Sequence, residues 1–435
     1  MFNTLKNAWR IPDLRKKLLF TLLIVVAFRF GSVVPVPFLD ASALSGLMEG
    51  ANETALGYIN MLTGGAFSNA TLFAMGITPY INSSIIIQLL TVAIPPLERL
   101  AKEGEEGRKK LAAITRYVTV ALGLIQGTAY YFFLRNNSVT LYNDGFSAVF
   151  TAIIIVLAFT AGTALIMWMG EQINQKGVGN GISIILFAGI VARLPVTMGQ
   201  VWNYFSAALQ SPESYGKYFV FAPLFIVVFL AVIWVIVFMN DSERRIPVQY
   251  AKKVVGRKIY GGQSTFLPIK VTMSGVMPII FASAILSIPS TIRLFINEPT
   301  GFWKGFFDAF SSSGWLYSVL YLFLIVIFAY FYMTIQYNPL EMANNLRSNN
   351  GTIPGIRPGR PTAEFISKIL SKVTLIGAIF LAVVAILPIV YSNVTGMYGL
   401  SMGGTSVIIM VGVALETVKQ IESQMMMRHY KGFLD

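Results

Sequence analysis

Runs of about 20 apolar residues recur along the whole sequence, and this is the length that an α-helix needs to cross a bilayer. Hydrophobic residues make up 55% of the chain and charged residues only 12%, about half the charged share of soluble domains. This composition argues against a soluble enzyme and predicts an all-α polytopic membrane protein. The ten predicted transmembrane helices cover residues 18–36, 75–94, 113–134, 150–169, 182–201, 219–239, 271–295, 315–336, 373–391 and 400–418.

The stretch 56–95 interrupts this simple pattern. Residues 58–73 have amphipathic helical character but are rich in Gly, Asn, Ser and Thr, whereas residues 75–94 are apolar. The two parts meet at Gly76, and Pro79 follows in the first turn of the second part, where a missing amide donor costs least. We therefore predict a half-helix that enters the membrane, breaks, and continues as a full span. Because lipid cannot satisfy a broken backbone, the break must line protein or a wet cavity, which indicates a pore.

Basic residues are distributed unevenly between the two sides of this predicted topology. Of the 33 lysines and arginines, 26 lie in segments assigned to the cytoplasm and four in the outer loops. This asymmetry predicts cytoplasmic termini by the positive-inside rule. It also accounts for most of the net charge of +13 without a nucleic-acid partner.

Two pairs of sequence segments indicate an internal repeat. GITPYINSSIII from Gly76 matches GVMPIIFASAIL from Gly275, and GISIILFAG from Gly181 matches GTSVIIMVG from Gly404. Each pair is five spans apart, so the matched helices run in opposite directions, as in an inverted repeat. We predict an N-terminal half at 1–201 and a C-terminal half at 202–435, surrounding a central pore.

An inverted repeat with a broken helix fits an ion-coupled secondary transporter as well as a channel. Coupled transporters usually keep ionisable side chains at the membrane midplane, and these spans have no carboxylate near their centres. The matched positions carry Ile81, Leu186, Ile280 and Ile409 instead. These residues are either ordinary packing positions or an apolar constriction that closes a pore by excluding water.

Two long cytoplasmic loops, at about 240–270 and 337–372, carry ordered turn signals and basic residues. The first alternates β-branched and charged residues around glycines and predicts a hairpin, and the second presents Arg357 and Arg360 among prolines. Both are either solvated loops that set topology or docking surfaces for a large acidic partner. The chain has no cysteine and one histidine, and no catalytic constellation is evident, so we predict no enzyme, metal site or cofactor.

Several long motifs resemble the SecY family, the channel-forming subunits of the bacterial Sec protein translocase. The motifs are INMLTGGAFSNATLFAMGITPYINSSIIIQLL, MWMGEQINQKGVGNGISIILFAGIVARLP, RRIPVQYAKKVVGRKIYGGQSTFLPIKV, NPLEMANNLRSNNGTIPGIRPGRPT and GGTSVIIMVG. The resemblance extends over nearly the whole chain. It implies a channel that translocates unfolded secretory polypeptides and inserts membrane proteins. The alternative function, which the inverted repeat leaves open, is ion-coupled secondary transport.

The resemblance also implies four groups of functional residues. The pore ring would comprise Ile81, Ile85, Leu186, Ile190, Ile280 and Ile409. The plug, at about 57–74, would include Asn60, Met61, Leu62, Gly64, Gly65 and Phe67. The lateral gate to lipid would include Ser84, Gln88, Gln126, Ser283 and Ile288. Motor and ribosome docking would use Arg244, Arg245, Arg257, Lys258, Arg357 and Arg360.

Partners and location follow from the same resemblance. It implies the small subunits SecE and SecG, the motor ATPase SecA, and the ribosome, whose rRNA would contact the basic loops. Signal sequences, nascent polypeptides and membrane lipids are the other expected partners. The expected location is the bacterial cytoplasmic (inner) membrane.

Overall fold

The computed structural model describes residues 2–40, 42–44, 46, 60, 63–142, 144–250, 253–255, 258–260, 264–272, 275–293, 301–309, 315–397 and 404–431. The helices are α1 (Phe2–Arg10), α2 (Pro12–Gly31), α3 (Thr78–Ala93), α4 (Pro95–Lys102), α5 (Glu105–Asn136), α6 (Gly145–Lys176), α7 (Gly181–Gln210), α8 (Pro212–Tyr215), α9 (Tyr218–Asp241), α10 (Met277–Arg293), α11 (Phe302–Ala309), α12 (Trp315–Gln336), α13 (Pro339–Ser348), α14 (Arg360–Thr395) and α15 (Gly404–Lys431). The strands are β1 (Glu243–Tyr250), β2 (Lys253–Val255), β3 (Lys258–Tyr260), β4 (Ser264–Lys270) and β5 (Gly351–Thr352).

Each of the ten predicted spans overlaps one long helix, namely α2, α3, α5, α6, α7, α9, α10, α12, α14 or α15. Within the described part of the chain, seven helices are long and apolar enough to cross a membrane, and the bent pair α3–α4 brings this number to eight. Helix α2 falls outside this group because basic residues occupy its first turns and Arg29 its last. Helix α10 falls outside because it has only 17 residues.

The two halves pack their helices in the same pattern. In the N-terminal half, α3 packs on α5, α5 on α6 and α6 on α7, while α2 contacts both α6 and α7. In the C-terminal half, α10 packs on α12, α12 on α14 and α14 on α15, while α9 contacts both α14 and α15. The halves meet where α7 contacts α9 and α15. This correspondence supports the inverted repeat predicted from two short sequence matches.

Glycines at equivalent positions of the two halves have the same structural role. Gly76 and Gly275 precede α3 and α10 with φ angles of 56° and 59°, a left-handed conformation that glycine adopts at little cost. Gly181 and Gly404 begin α7 and α15, and a Cβ at either position would lie 2.0 Å from a backbone oxygen of the neighbouring helix. Both close approaches require a residue without a side chain.

The segment before α3 differs from the predicted half-helix. Residues 63–77, which we call the seal segment, form consecutive turns. Polar side chains bond to the local backbone here: Thr63 Oγ1 accepts from Phe67 N at 3.2 Å, and Ser68 Oγ donates to Gly65 O at 3.0 Å. Such bonds compete with helical hydrogen bonding, and together with the positive φ of three glycines they explain why these residues are not helical.

A glycine on α6 lets the seal segment approach the helix bundle. A Cβ on Gly162 would lie 2.0 Å from Leu72 O. We expect Gly162→Ala to lower the free energy of unfolding by about 1–3 kcal/mol, because the overpacked backbone must move. Thermal unfolding of the purified protein in detergent measures this loss. Gly199→Ala in α7 is the matched control, because that site is open and alanine favours the helix. Equal stability of both variants would contradict the prediction.

The two long loops form one structure. Strand β1 pairs antiparallel with β4, which confirms the predicted hairpin, and also with β5 from the second loop. The inner strands β2 and β3 form a separate two-stranded extension. Beneath the sheet lies a hydrophobic core drawn from β1, β4, α13, the loop after β5 and α14; its buried members are Ile246, Val248, Ile269, Leu346, Ile353, Ile366, Leu370 and Val373. We call this unit of β1, β4, α13, β5, the loop 353–359 and the first turns of α14 the loop platform.

Candidate pore constriction and its seal

The centre of the bundle is an aliphatic cluster built by four helices, two from each half. Leu186 and Ile190 of α7 and Ile409 of α15 are buried in it, and Ile81 of α3 and Ile280 of α10 pack against it. We call these five residues the constriction cluster. Four of them occupy the matched repeat positions, so the pseudo-symmetry of the two halves brings equivalent side chains together. The cluster has no charged member, and aliphatic groups of this kind exclude water and bind ions poorly.

Ile85, the sixth predicted ring residue, belongs mainly to a neighbouring cluster. It is 6% exposed and packs in a core that includes Ile279, Phe281 and Leu286 of α10. Ile81 packs against this core as well as against the constriction cluster. Helices α3 and α10 are therefore joined by apolar contacts that continue directly from the constriction.

The predicted gate residues lie on α3, α5 and α10, at or beside the apolar interface between α3 and α10, which we call the joint. Ser84 and Gln88 of α3 and Gln126 of α5 are half-buried. Ser283 of α10 is buried and donates to Ile280 O at 2.9 Å, whereas Ile288 is 53% exposed. Half-buried polar groups beside an otherwise apolar joint weaken its packing relative to a fully apolar core.

The seal segment packs directly against the constriction cluster. Ala66 and Phe73 are buried in the same hydrophobic core as Leu186 and Ile190. The Phe73 ring stacks on Phe28 of α2 with centroids 5.7 Å apart. The segment therefore closes one side of the constriction with apolar side chains.

Hydrogen bonds give the seal segment a defined shape. Asn60 is 4% exposed, and its Oδ1 accepts from Ser68 N at 3.0 Å, while its backbone oxygen accepts from Gly65 N at 2.8 Å. On the other side Leu72 N donates to Val34 O at 2.9 Å. Predicted plug residues Met61 and Leu62 lie outside the described residues. Asn60, Gly64 and Gly65 thus form a compact turn next to the constriction.

Phe67 anchors this turn to α5. Its ring stacks on Tyr130 with centroids 4.4 Å apart, and the Tyr130 hydroxyl donates to Phe67 O at 2.7 Å. Tyr130 is 2% exposed, so this hydrogen bond satisfies a hydroxyl that would otherwise be buried without a partner. The aromatic pair and the hydrogen bond together hold Phe67 in one position.

The predicted docking arginines lie on the loop platform with their charges in solvent. Arg244 and Arg245 project from β1, and Arg245 Nε pairs with Glu243 Oε1 at 2.7 Å. Arg357 and Arg360 are exposed, and Arg360 pairs with Glu364 at 3.4 Å. Arg257 lies outside the described residues, and of Lys258 only the backbone, in β3, is described. The platform therefore brings basic residues from both loops onto one rigid support.

The ionisable groups of the bundle do not form an ion-binding centre in the described part of the chain. No group of three or more His, Asp or Glu residues there could hold a metal ion. Glu171 near the end of α6 pairs with Arg116 Nε at 2.7 Å, which ties α6 to α5. This arrangement does not favour the ion-coupled transporter.

Sequence reasoning missed two residues that contact the seal segment. Arg29 Nη1 donates to Gly64 O at 3.4 Å, and the Arg193 side chain runs alongside Gly65. Both arginines belong to predicted spans or their ends, and charge in a span is itself a signal of function. That signal was present, but only the structure brings the two residues to the same turn.

Comparisons with known proteins agree with this architecture. The family model for SecY matches residues 71–418. Protein translocase subunit SecY of Bacillus subtilis is 44% identical over 443 residues, and the alignment covers 100% of both chains. Protein translocase subunit SecY of Streptomyces coelicolor is 43% identical over 449 residues, again with 100% of both chains covered.

Solved structures with little sequence identity share the fold. "The structure of a protein conducting channel" aligns with a TM-score of 0.64 at 17% identity and covers 94% of this chain and 92% of that one. "Sec61 in the Canine ribosome-channel complex from the endoplasmic reticulum" aligns with a TM-score of 0.59 at 15% identity, with the same coverage.

Proposed function

The chain belongs to the SecY family of protein translocase subunits, and from this membership we propose which residues form its pore, seal, gate and docking surface. It is the channel-forming subunit of a protein translocase rather than an enzyme, and it conducts unfolded polypeptides. The single observation that carries the assignment of the pore is the aliphatic cluster to which two helices of each half contribute, with the seal segment packed against it.

The proposed pore ring consists of the constriction cluster together with Ile85. A channel for polypeptides of any composition must let charged and apolar side chains pass while it blocks ions at rest. Branched aliphatic side chains meet both needs, because they make weak, non-directional contacts with cargo and exclude water when the pore is empty. A charged ring would hold cargo of opposite charge and attract ions.

The proposed plug is the stretch of about 57–74, of which Asn60 and residues 63–74 are described. Its packing against the constriction cluster supports a second barrier to ions in the resting channel. The proposed lateral gate is the joint between α3 and α10, with Ser84, Gln88, Gln126, Ser283 and Ile288 along it. We assign the two moving bodies to residues 1–201 and 202–435, because the halves repeat the same helix packing.

The proposed docking surface is the loop platform with its exposed arginines. Its hydrophobic core and three-stranded sheet would keep basic groups in place for an acidic or nucleic-acid partner. Family membership makes the ribosome, SecA, SecE and SecG the partners that we propose. The structurally similar Sec61 channel was solved in a ribosome-channel complex, which supports the ribosome as a partner of this chain.

The chain is a multi-pass membrane protein, and we propose the bacterial inner membrane with both termini in the cytoplasm. The segments assigned to the cytoplasm, the loop platform among them, hold 26 of the 33 basic side chains, as the positive-inside rule requires. Signal sequences, nascent polypeptides and lipids would meet at the lateral gate.

Site-specific photocrosslinking to a stalled secretory chain tests this assignment. A photoreactive residue replaces Ile81 or Ile280, and we expect both variants to crosslink the stalled chain. Leu230 of α9 is the matched control, because it is 59% exposed on the bundle surface and should react with lipid instead. Crosslinks from Leu230 but from neither constriction position would overturn the proposed pore.

A further inference from the structure

Two arginines from different helices converge on the glycine pair of the seal segment. Arg29 of α2 donates from Nη1 to Gly64 O at 3.4 Å. A Cβ on Gly65 would lie 3.2 Å from Nη1 and 4.0 Å from Cδ of Arg193 in α7. Both guanidinium groups therefore border the same two-residue turn.

The glycines are what allow this contact. Their φ angles are 68° and 91°, which side-chain-bearing residues rarely adopt. A Cβ on Gly64 would lie 2.7 Å from Arg29 Nη1 and 3.0 Å from Gly189 O. Any larger residue would push the turn away from both α2 and α7, so the absence of a side chain at these positions is what lets the arginines lie this close to the turn.

The charges of the two arginines have no acidic partner within the described residues. Neither residue forms an ion pair there, and Nε of Arg193 is buried without a hydrogen-bond partner in the same part of the chain. A guanidinium group in a membrane span needs acceptors, because its desolvation is costly. The backbone oxygen of Gly64 is such an acceptor while the seal segment is in place.

Within the described residues, the side chains and backbone atoms found beside Gly64 and Gly65 belong to the N-terminal half. Besides Arg29 and Arg193, Gly189 of α7 adjoins Gly64, and Tyr130 of α5 holds Phe67. Separation of the two halves at the gate would therefore leave this set of contacts intact. Release of the plug would also have to break the contacts of the turn with Arg29 and Arg193.

We propose that Arg29 and Arg193 are positioning residues that hold the Gly64–Gly65 turn in the closed channel and so set how rarely the channel opens without cargo. This inference rests on the proposed plug function. Phe28, next to Arg29, stacks on Phe73, and Ile190 of the constriction cluster lies three residues before Arg193. Helix α2 thus contacts the seal segment at two points, and α7 carries both Arg193 and part of the proposed ring.

The test measures spontaneous opening of the full-length chain, purified with its co-purifying subunits, in planar bilayers without cargo. We expect Arg29→Gln/Arg193→Gln to raise the fraction of time spent conducting about tenfold, since the charge-assisted hydrogen bond from Arg29 and the close contact of Arg193 with the turn are lost. Arg29→Lys/Arg193→Lys should give an intermediate value, because it keeps the charge but loses the planar guanidinium. Lys304→Gln in the outer helix α11 is the control and should leave conduction unchanged.

A second variant separates positioning from a general loss of structure. Gly65→Ala displaces the turn without altering a charge, and we expect it to raise conduction as well. Adding Arg193→Gln to Gly65→Ala should then have little further effect, because the contact is already broken. A fully additive combination would overturn the proposal.

Translocation of a secretory reporter distinguishes this proposal from the proposed function. If the wild-type chain and its subunits translocate no reporter, the channel assignment fails. If they translocate it normally but the double Gln variant opens as rarely as the wild type, only the role of the arginines is overturned. An independent readout is the reaction of Ala74→Cys, at a fully buried position of the seal segment, with a maleimide reagent; it is specific in a chain without native cysteine and should accelerate in the double variant.

Discussion

Ile81→Asn/Ile280→Asn is expected to make the resting channel leak ions. Each amide placed in the apolar cluster without a partner costs about 1–3 kcal/mol, so the closed state loses about 2–6 kcal/mol relative to a hydrated pore. Because 1.4 kcal/mol corresponds to a factor of ten, we expect conductance without cargo to rise by at least about tenfold. Single-channel recording in planar bilayers measures it. The same change should relax the requirement for a signal sequence, because less energy is then needed to open the constriction.

Ile81→Leu/Ile280→Leu is the matched control for this prediction. Leucine keeps the volume and apolar character of isoleucine, and such exchanges usually cost less than about 1.5 kcal/mol. We expect this variant to remain closed to ions and to export a reporter normally. An unchanged conductance of the Asn variant, at normal levels in the membrane, would show that the barrier lies elsewhere.

Arg357→Glu is expected to abolish motor-driven export while the chain still inserts into the membrane. The backbone around Arg357 is fixed by a hydrogen bond from Thr362 Oγ1 to Arg357 O at 2.8 Å, and Ile356 packs into the core of the platform. The exposed side chain can therefore be reversed in charge without unfolding the loop. Because like charges at an interface cost several kcal/mol, we expect export to fall below about one tenth of the wild-type rate.

Lys368→Glu provides the comparison for Arg357→Glu. Lys368 is also exposed and basic but lies further along α14, outside the Pro- and Gly-rich loop. Export of a secreted reporter into inverted vesicles should be nearly normal for this variant. Normal export by Arg357→Glu, or equal defects in both variants, would contradict a specific docking role for Arg357.

The helical architecture could be predicted from the sequence because each membrane span is a continuous run of apolar residues. A helix such as α9 has apolar residues throughout its length, and the matched glycines before α3 and α10 adopt the same conformation in the structure. The hairpin at β1–β4 was also predictable, because alternation and turn residues are local signals. Four of the five constriction residues were found from the repeat, since equivalent positions in two inverted halves meet at the pseudo-symmetry axis.

The shape of the seal segment could not be predicted from amphipathic character alone. Its periodicity indicated a helix, but residues 63–77 form turns because Thr63 and Ser68 bond to nearby backbone groups and three glycines adopt positive φ. Likewise, the two cytoplasmic loops were predicted as separate elements. Pairing of β5 with β1 across about 100 intervening residues depends on where α13 and α14 direct the second loop.

Local chemistry in the sequence was enough to predict the apolar helices, the inverted repeat and the aliphatic character of the constriction. Hydrophobicity and charge are properties of individual residues, so their pattern along the chain predicts these features without a structure. The tertiary structure alone decided that Arg29 and Arg193 meet at one glycine turn, that Phe67 is held by Tyr130, and that two loops share one core. These contacts join residues that are far apart in the chain, and their geometry is set by how the helices pack.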